Sequence, residues 1–522
     1  MNLNIVNHTN GKNYALISFS FLICSLLPIL YFSLGIAYDY PNHIARVFIE
    51  GNVYSNNFLG KYYYLKFDLI PHSAMDIVLS PIVAWTGLYL SAQIFTIAAV
   101  SLLPIGAVLI HRILFDRWSY WPLLSVLAIY NYNLMWGLIN CIAALGLALI
   151  AFAAWLRFSD RGWWFLAPMF LAVNVVLLFA HAFGLLALGF LVLTWEVGKT
   201  SRMPANDRLQ YALKRGAIAP SFIFPLATLL WTIGDLDKMP NLVPNESWAY
   251  LIQTFLAAND FGPGMEGEIL VGILGGLLYF AVSRRALIVH PEMRFTLICF
   301  ALLVLVIPPS LFNVTYLHIR LPPVLFCLFF AGTAFRTTNR ECLVVVTALS
   351  VAAVGVSQFA AWRTMYKNDA LQSELATSFQ RIEPGQRLIA AWGLADANRN
   401  FPSLHRNFPY VHGISLAVIE ASSYVPNLFT GSSIVKIKPG FRHMHLHGAF
   451  PLTPERLSEA VGRKANVDEN MEIGNRSFYY GWESNFDYLL WLDASEEYLP
   501  RFSFLTEVTR GSFFILYKIA HS

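Results

Sequence analysis

The chain has 522 residues, of which 56% are hydrophobic and 13% charged, with a mean hydropathy of +0.52. Soluble domains carry roughly 25% charged residues, so the composition excludes an ordinary soluble protein and implies a polytopic membrane protein. The net charge of +4, with no basic run interleaved with aromatics, argues against nucleic acid as a partner.

In chain order, the first apolar run covers residues 14–37. It exceeds the roughly 7–15 residue core of a secretory signal and lacks a small-x-small cleavage site, so it reads as a first transmembrane helix. Residues 73–88 are apolar but contain Asp76 and Pro81, which suits a re-entrant or interfacial helix. Further spans are predicted near 90–111, 118–133, 134–156, 162–180, 181–198, 216–234, 268–283, 295–311, 321–335 and 342–361, about eleven in all. Residues 1–360 hold 20 Lys/Arg and 16 Asp/Glu, whereas 361–522 hold 16 and 16 in less than half the length. That shift predicts a membrane domain over 1–361, with a large first outer loop at 38–88, and an aqueous domain over 362–522. Apolar runs at 387–392, 488–493 and 513–518 predict strands and 413–423 a helix, so this domain reads as α/β. The five cysteines, Cys24, Cys141, Cys299, Cys327 and Cys342, all lie in apolar stretches without disulfide or zinc spacing and read as packing residues.

With the N-terminus placed in the cytoplasm, alternating spans put fifteen basic residues of the membrane part inside and five outside. The C-terminal domain then lies outside, and the outer surface is the chemically rich one.

The sharpest feature on that surface is Asp39, in Tyr38-Asp39-Tyr40-Pro41-Asn42-His43-Ile44-Ala45-Arg46. A partly desolvated carboxylate at a membrane interface is suited to accept a proton. Pro41 suits a helix start, which puts His43 and Arg46 one turn apart and leaves Asp39 either a base or a helix cap. Arg320, in Tyr316-Leu317-His318-Ile319-Arg320-Leu321-Pro322-Pro323, stands at the outer mouth of a span. It either grips a phosphate with its planar fork or snorkels to lipid head groups, with His318 two residues before it. His181 lies in an outer turn between two spans. Asn131, Asn133 and Asn140 either bond sugar hydroxyls or pack helices, and Asp260 is a candidate outer-loop acid. If extended, His443-Met444-His445-Leu446-His447 projects three imidazoles to one face, as a metal site, a solvated face or an acceptor surface.

A cytoplasmic N-terminus, one helix, and then an aspartate opening a long outer loop with short helices resembles the GT-C glycosyltransferases. These include the protein O-mannosyltransferases and the lipid A aminoarabinose transferases. The resemblance covers the whole chain in layout and, in motif, Asp39 and its surroundings. It implies a multi-pass enzyme of the bacterial inner membrane that takes sugar from a polyprenyl-phosphate carrier. The sugar would pass, with inversion, to a hydroxyl acceptor of the cell envelope, Asp39 acting as base. The resemblance also implies that Arg320 binds the carrier phosphate, while the substrate-binding set is His43, Arg46, Asn131, Asn133, Asn140, His181, Asp260 and His318. Many GT-C enzymes carry a second acid in a later outer loop. Here the turn Tyr130-Asn131-Tyr132-Asn133 has none, so no cofactor is indicated and a divalent-metal requirement does not follow. The competing classes are a flippase or transporter of lipid-linked saccharides and an O-antigen-type polymerase or ligase. Nearly charge-free spans and the lack of repeats speak against a transporter.

Overall fold

A computed structural model describes residues 11–67, 73–233, 254, 256–259, 261, 265–311, 314–392, 410–431, 433–464, 476–492 and 501–521. Contacts divide the chain into two units. The first is drawn from Met1–Tyr31, Thr96–Met135 and Ile139–Arg363; the second from Phe32–Phe95, Trp136–Leu138 and Thr364–Ser522. Residues 38–88 fall in the second unit with the C-terminal part of the chain.

In the first unit most helices are apolar nearly all round, as segments surrounded by lipid and other helices must be, whereas Ala205–Gly216 is polar and buries no residue. Among the described residues, seven helices of the chain are long and apolar enough to cross a membrane, or eight if the bent pair Ala205–Gly216 and Pro220–Trp231 forms one span. The chain is thus a polytopic helical membrane protein, with fewer full-length helices than the eleven expected. Prolines account for much of the difference. The predicted span 295–311 is a helix only over Met293–Val306, because Ile307 before Pro308-Pro309 is extended (ψ 127°). The span 321–335 is reduced to Pro322–Gly332, which Pro322 and Pro323 start and the strand Thr333–Phe335 ends. The span 118–133 is instead a 3-10 helix at Trp121–Ala128, packed by Trp121 and Leu124 against Leu277, Phe330 and Val346. Helices Leu88–Phe115 and Ile139–Phe158 approach closely at Gly106, where an added β-carbon would stand 2.5 Å from Leu149 Cβ. Cys141, Cys327 and Cys342 are buried, as packing residues should be, whereas Cys299 is half-buried and Cys24 is exposed on its helix, contrary to that expectation.

The second unit centres on a four-stranded mixed sheet. Strand Leu388–Trp392 runs parallel to Tyr488–Leu492, which pairs antiparallel with Phe514–Ile519, and that strand pairs antiparallel with Leu505–Arg510. The two parallel strands are buried at every position, consistent with their uninterrupted apolar sequences. Three strands match the sequence expectation. The fourth, Leu505–Arg510, escapes it because a Leu-Thr-Glu-Val-Thr-Arg pattern belongs to a half-exposed edge. Arg387 beside the sheet holds both oxygens of Asp487, Nε at 2.9 Å and Nη2 at 2.8 Å, and so fixes the start of the parallel pair. The predicted helix at 413–423 is a 3-10 turn, Gly413–Ser415, running into the helix Leu416–Ala421. The helices Tyr40–Asn52 and Ala74–Thr86 also belong here. At 13 residues the latter is shorter than the roughly 20 needed to span.

Candidate functional site

Asp39 stands further from the first helix than its sequence suggests. That helix ends at Tyr31, not at residue 37, and a non-helical link follows. A buried link must find partners for its peptide groups. Here they come from the helix Arg340–Phe379: Asp369 Oδ1 accepts from Leu34 N at 2.8 Å, Asn368 donates to Gly35 O, and Gln372 donates to the carbonyls of Leu34 and Ile36. Tyr38 then takes φ +54°, a left-handed conformation costly for a large side chain. The Asp39 amide donates to Trp136 O at 3.2 Å, and the Tyr38 and Trp136 rings lie 4.5 Å apart. The Asp39 backbone is therefore held from both sides before the helix Tyr40–Asn52 begins, with Pro41 in its first turn. Asp39 occupies the N-cap position, but its side chain makes no capping hydrogen bond.

The carboxylate instead faces His412, whose Nε2 is 3.5 Å from Asp39 Oδ1. His412 is buried between Phe429 and Phe450. Its Nδ1 lies 3.4 Å from the Asn427 amide nitrogen; with that amide donating, Nδ1 accepts and Nε2 carries the hydrogen on the Asp39 side. Burial, followed by the nearby His447, lowers the His412 pKa to about 3, so the ring is neutral at physiological pH. Asn42 ties this loop to the Asp39 helix, donating to Asn427 O at 3.1 Å and accepting from Phe429 N at 2.8 Å. His43 packs edge-on to Phe429, and burial holds its pKa well below the ordinary value, with Arg46 and His412 adding to the effect.

Arg46 is expected from the sequence to bind substrate. In the structure Arg46 is buried, with Nη2 at 2.9 Å from both oxygens of the fully buried Asp76. One turn along, Glu50 Oε2 lies 2.5 Å from Ser80 Oγ, while Ser80 Oγ is 2.7 Å from Asp76 O. A hydroxyl has one hydrogen, so a protonated Glu50 that donates to Ser80 satisfies both contacts. Burial, followed by the Asp76 charge, pushes the Glu50 pKa up to about 8, in agreement with that arrangement.

In the first unit, Arg320 and His181 come together: Arg320 Nη1 is 3.1 Å from His181 Nε2. Both are buried, and the guanidinium lies over the Phe183 ring at 5.0 Å. His181 is extended (φ −175°) between two helices, and its Nδ1 accepts from Phe183 N at 3.1 Å. A neutral imidazole that accepts at Nδ1 carries its hydrogen on Nε2. Arg320 can only donate, so its contact with Nε2 is a hydrogen bond in the other tautomer, in which Nδ1 carries the hydrogen. The Cys141 side chain is also hydrogen-bonded to Arg320.

The remaining predicted residues divide. Asn133 donates to the carbonyls of Ile319 and Arg320, and Asn131 donates to Ala128 O while accepting from Leu134 N. Both asparagines bond the protein's own backbone through these groups, while Asn133 Oδ1 is buried without a hydrogen-bond partner among the described residues. Asn140 and His318 are buried, and Asp260 lies outside the described residues. His443 closes a 3-10 helix rather than joining a strand, so the three histidines do not share a strand face. His445 Nε2 pairs with Thr430 Oγ1 at 2.8 Å, and His447 Nδ1 accepts from Gly431 N at 2.9 Å. No metal-binding group of three His, Cys, Asp or Glu occurs among the described residues. A cavity of about 550 Å³ in the first unit is lined by Phe280, Arg284, Arg340, Glu341, Val344 and Val345, none of them a predicted site residue. Sequence reasoning does not connect Asp39 with His412, nor Arg320 with His181 and Cys141. These pairs are too distant along the chain for spacing to reveal them.

No family model matches the sequence, and no curated protein matches it. Among solved structures the chain is similar to ArnT from Cupriavidus metallidurans, in a crystal structure with bound undecaprenyl phosphate. The match covers 97% of each chain at 11% identity, with a TM-score of 0.47. It is a likeness of general layout.

Proposed function

We propose that the chain is an inverting glycosyltransferase that takes a sugar from a polyprenyl-phosphate carrier and passes it to a hydroxyl acceptor. In this reading Asp39 removes the acceptor proton as the hydroxyl oxygen attacks the anomeric carbon. The bond from that carbon to the phosphate oxygen breaks, and its electron pair leaves with the phosphate. Separately, the first unit offers Arg320, beside His181, as the group that binds the carrier phosphate. A multi-pass protein with its N-terminus in the cytoplasm, as the basic asymmetry suggests, would perform this chemistry on the outer side of the inner membrane, with the carrier's polyprenyl tail in the membrane lipid.

The observation that carries the proposal is the Asp39 carboxylate. It sits at a helix start without capping it, on a backbone held by Trp136, and faces a neutral imidazole. The test is transfer of labelled sugar by membranes containing Asp39→Asn at matched protein level. A positioned base contributes roughly 10²–10⁴-fold, so transfer should fall by about that factor with little change in thermal stability. Near-normal transfer would overturn the assignment.

A further inference from the structure

The C-terminal segment places one side chain directly against the proposed base. We infer that His412 is a positioning residue for Asp39: its Nε2–H holds Oδ1 and so orients the carboxylate that takes the acceptor proton. The inference rests on the reading of Asp39 as base and adds a role for the C-terminal segment, which in sequence lies far from the first outer loop.

The geometry supports this in three ways. With the Asn427 amide nitrogen, at 3.4 Å, donating to Nδ1, the group facing Asp39 at 3.5 Å is a donor. Phe429 and Phe450 flank the ring, at centroid distances of 5.1 and 5.9 Å, and the ring itself is buried. Asn42, in the first turn of the helix that Asp39 precedes, grips the loop backbone on both sides of the fully buried Leu428. It does so through Asn427 O and Phe429 N, which ties the segment carrying Asn427 to the Asp39 helix.

The titratable groups facing His412 are Asp39, His43 on the Tyr40–Asn52 helix, and His447 after the 3-10 helix, with Arg46 next to His43 and His447. With the imidazoles neutral, Asp39 is the acid among them that the Nε2–H can serve.

A donor aimed at a carboxylate favours its ionised form. Removing the donor while keeping the ring, as in His412→Phe, should therefore move the acid limb of the kcat/KM profile up by about half to one pH unit. It should also lower transfer by roughly 10- to 100-fold through misplacement of the carboxylate. His412→Gln places an amide donor near the original Nε2, so it should keep the wild-type limb and most of the activity. The measurement is the pH profile of labelled-sugar transfer for wild type and both variants at matched level. A His412→Phe profile with an unshifted limb would overturn the positioning role. Should His412→Phe fail to accumulate, His412→Gln decides alone: a wild-type limb supports the role and a displaced one refutes it. Full transfer by Asp39→Asn would instead remove the base itself, so the two failures are distinguishable.

Discussion

Gly137 leaves no room for a β-carbon against Tyr40: one added there would stand 2.5 Å from the Tyr40 backbone nitrogen and 3.1 Å from Ala37 O. Gly137 also has φ +74°, a conformation that L side chains rarely adopt. The turn that carries Asp39 is therefore packed directly on this glycine. Gly137→Ala should cost about 1–3 kcal/mol in strain and push the turn away. Because misplacement of about 1 Å can cost about 10²-fold, transfer should fall further than stability does. Wild-type transfer by a well-expressed Gly137→Ala would show that the turn tolerates displacement.

Arg46 and Asp76 form a buried ion pair within the second unit. Breaking such a pair leaves an uncompensated buried charge, at about 3–5 kcal/mol. Asp76→Ala should therefore lower protein level and melting temperature sharply. If Arg46 instead contacted substrate, Asp76→Ala would accumulate normally and lose only donor use.

Glu50 gives a pH dependence with a defined sign. Its folded pKa is raised from 4.5 to about 8. The folded state thus binds the extra proton between those values, and stability is lost as pH rises from 4.5 through 8. Glu50→Gln is always neutral and should remove that loss, leaving the variant more stable than wild type at pH ~9 by on the order of one to a few kcal/mol. Thermal melts of both proteins at pH ~5 and pH ~9 provide the measurement. An equal or larger alkaline loss in the variant would contradict protonation of Glu50.

Arg320→Lys keeps the charge but loses the planar fork that meets His181 and stacks on Phe183. A hydrogen bond to a charged group is worth about 1.5–3 kcal/mol, so donor use should weaken by roughly 10- to 100-fold with folding intact. Arg320→Ala behaving as wild type in a donor-dependent assay would end the phosphate assignment.

Much of the fold can be read locally. Pro41 marks the start of the Tyr40–Asn52 helix, and the five-residue apolar runs at Leu388–Trp392 and Tyr488–Leu492 mark the parallel strands. The same local reading overcounts the spans, because averaged hydropathy passes over Pro308-Pro309 and Pro322-Pro323, which interrupt helices.

Composition and periodicity alone determined that this is a many-helix membrane protein with a mixed α/β C-terminal segment, and they singled out Asp39 and Arg320. They act through solvent and near neighbours, over a turn or two of chain. Only the tertiary structure decided which groups those residues meet. It gave Asp39 the His412 imidazole, gave Arg320 the His181 ring, and closed Arg46 onto Asp76. Such pairings depend on how distant segments pack, and a buried charge takes whichever partner the packing brings within hydrogen-bond reach.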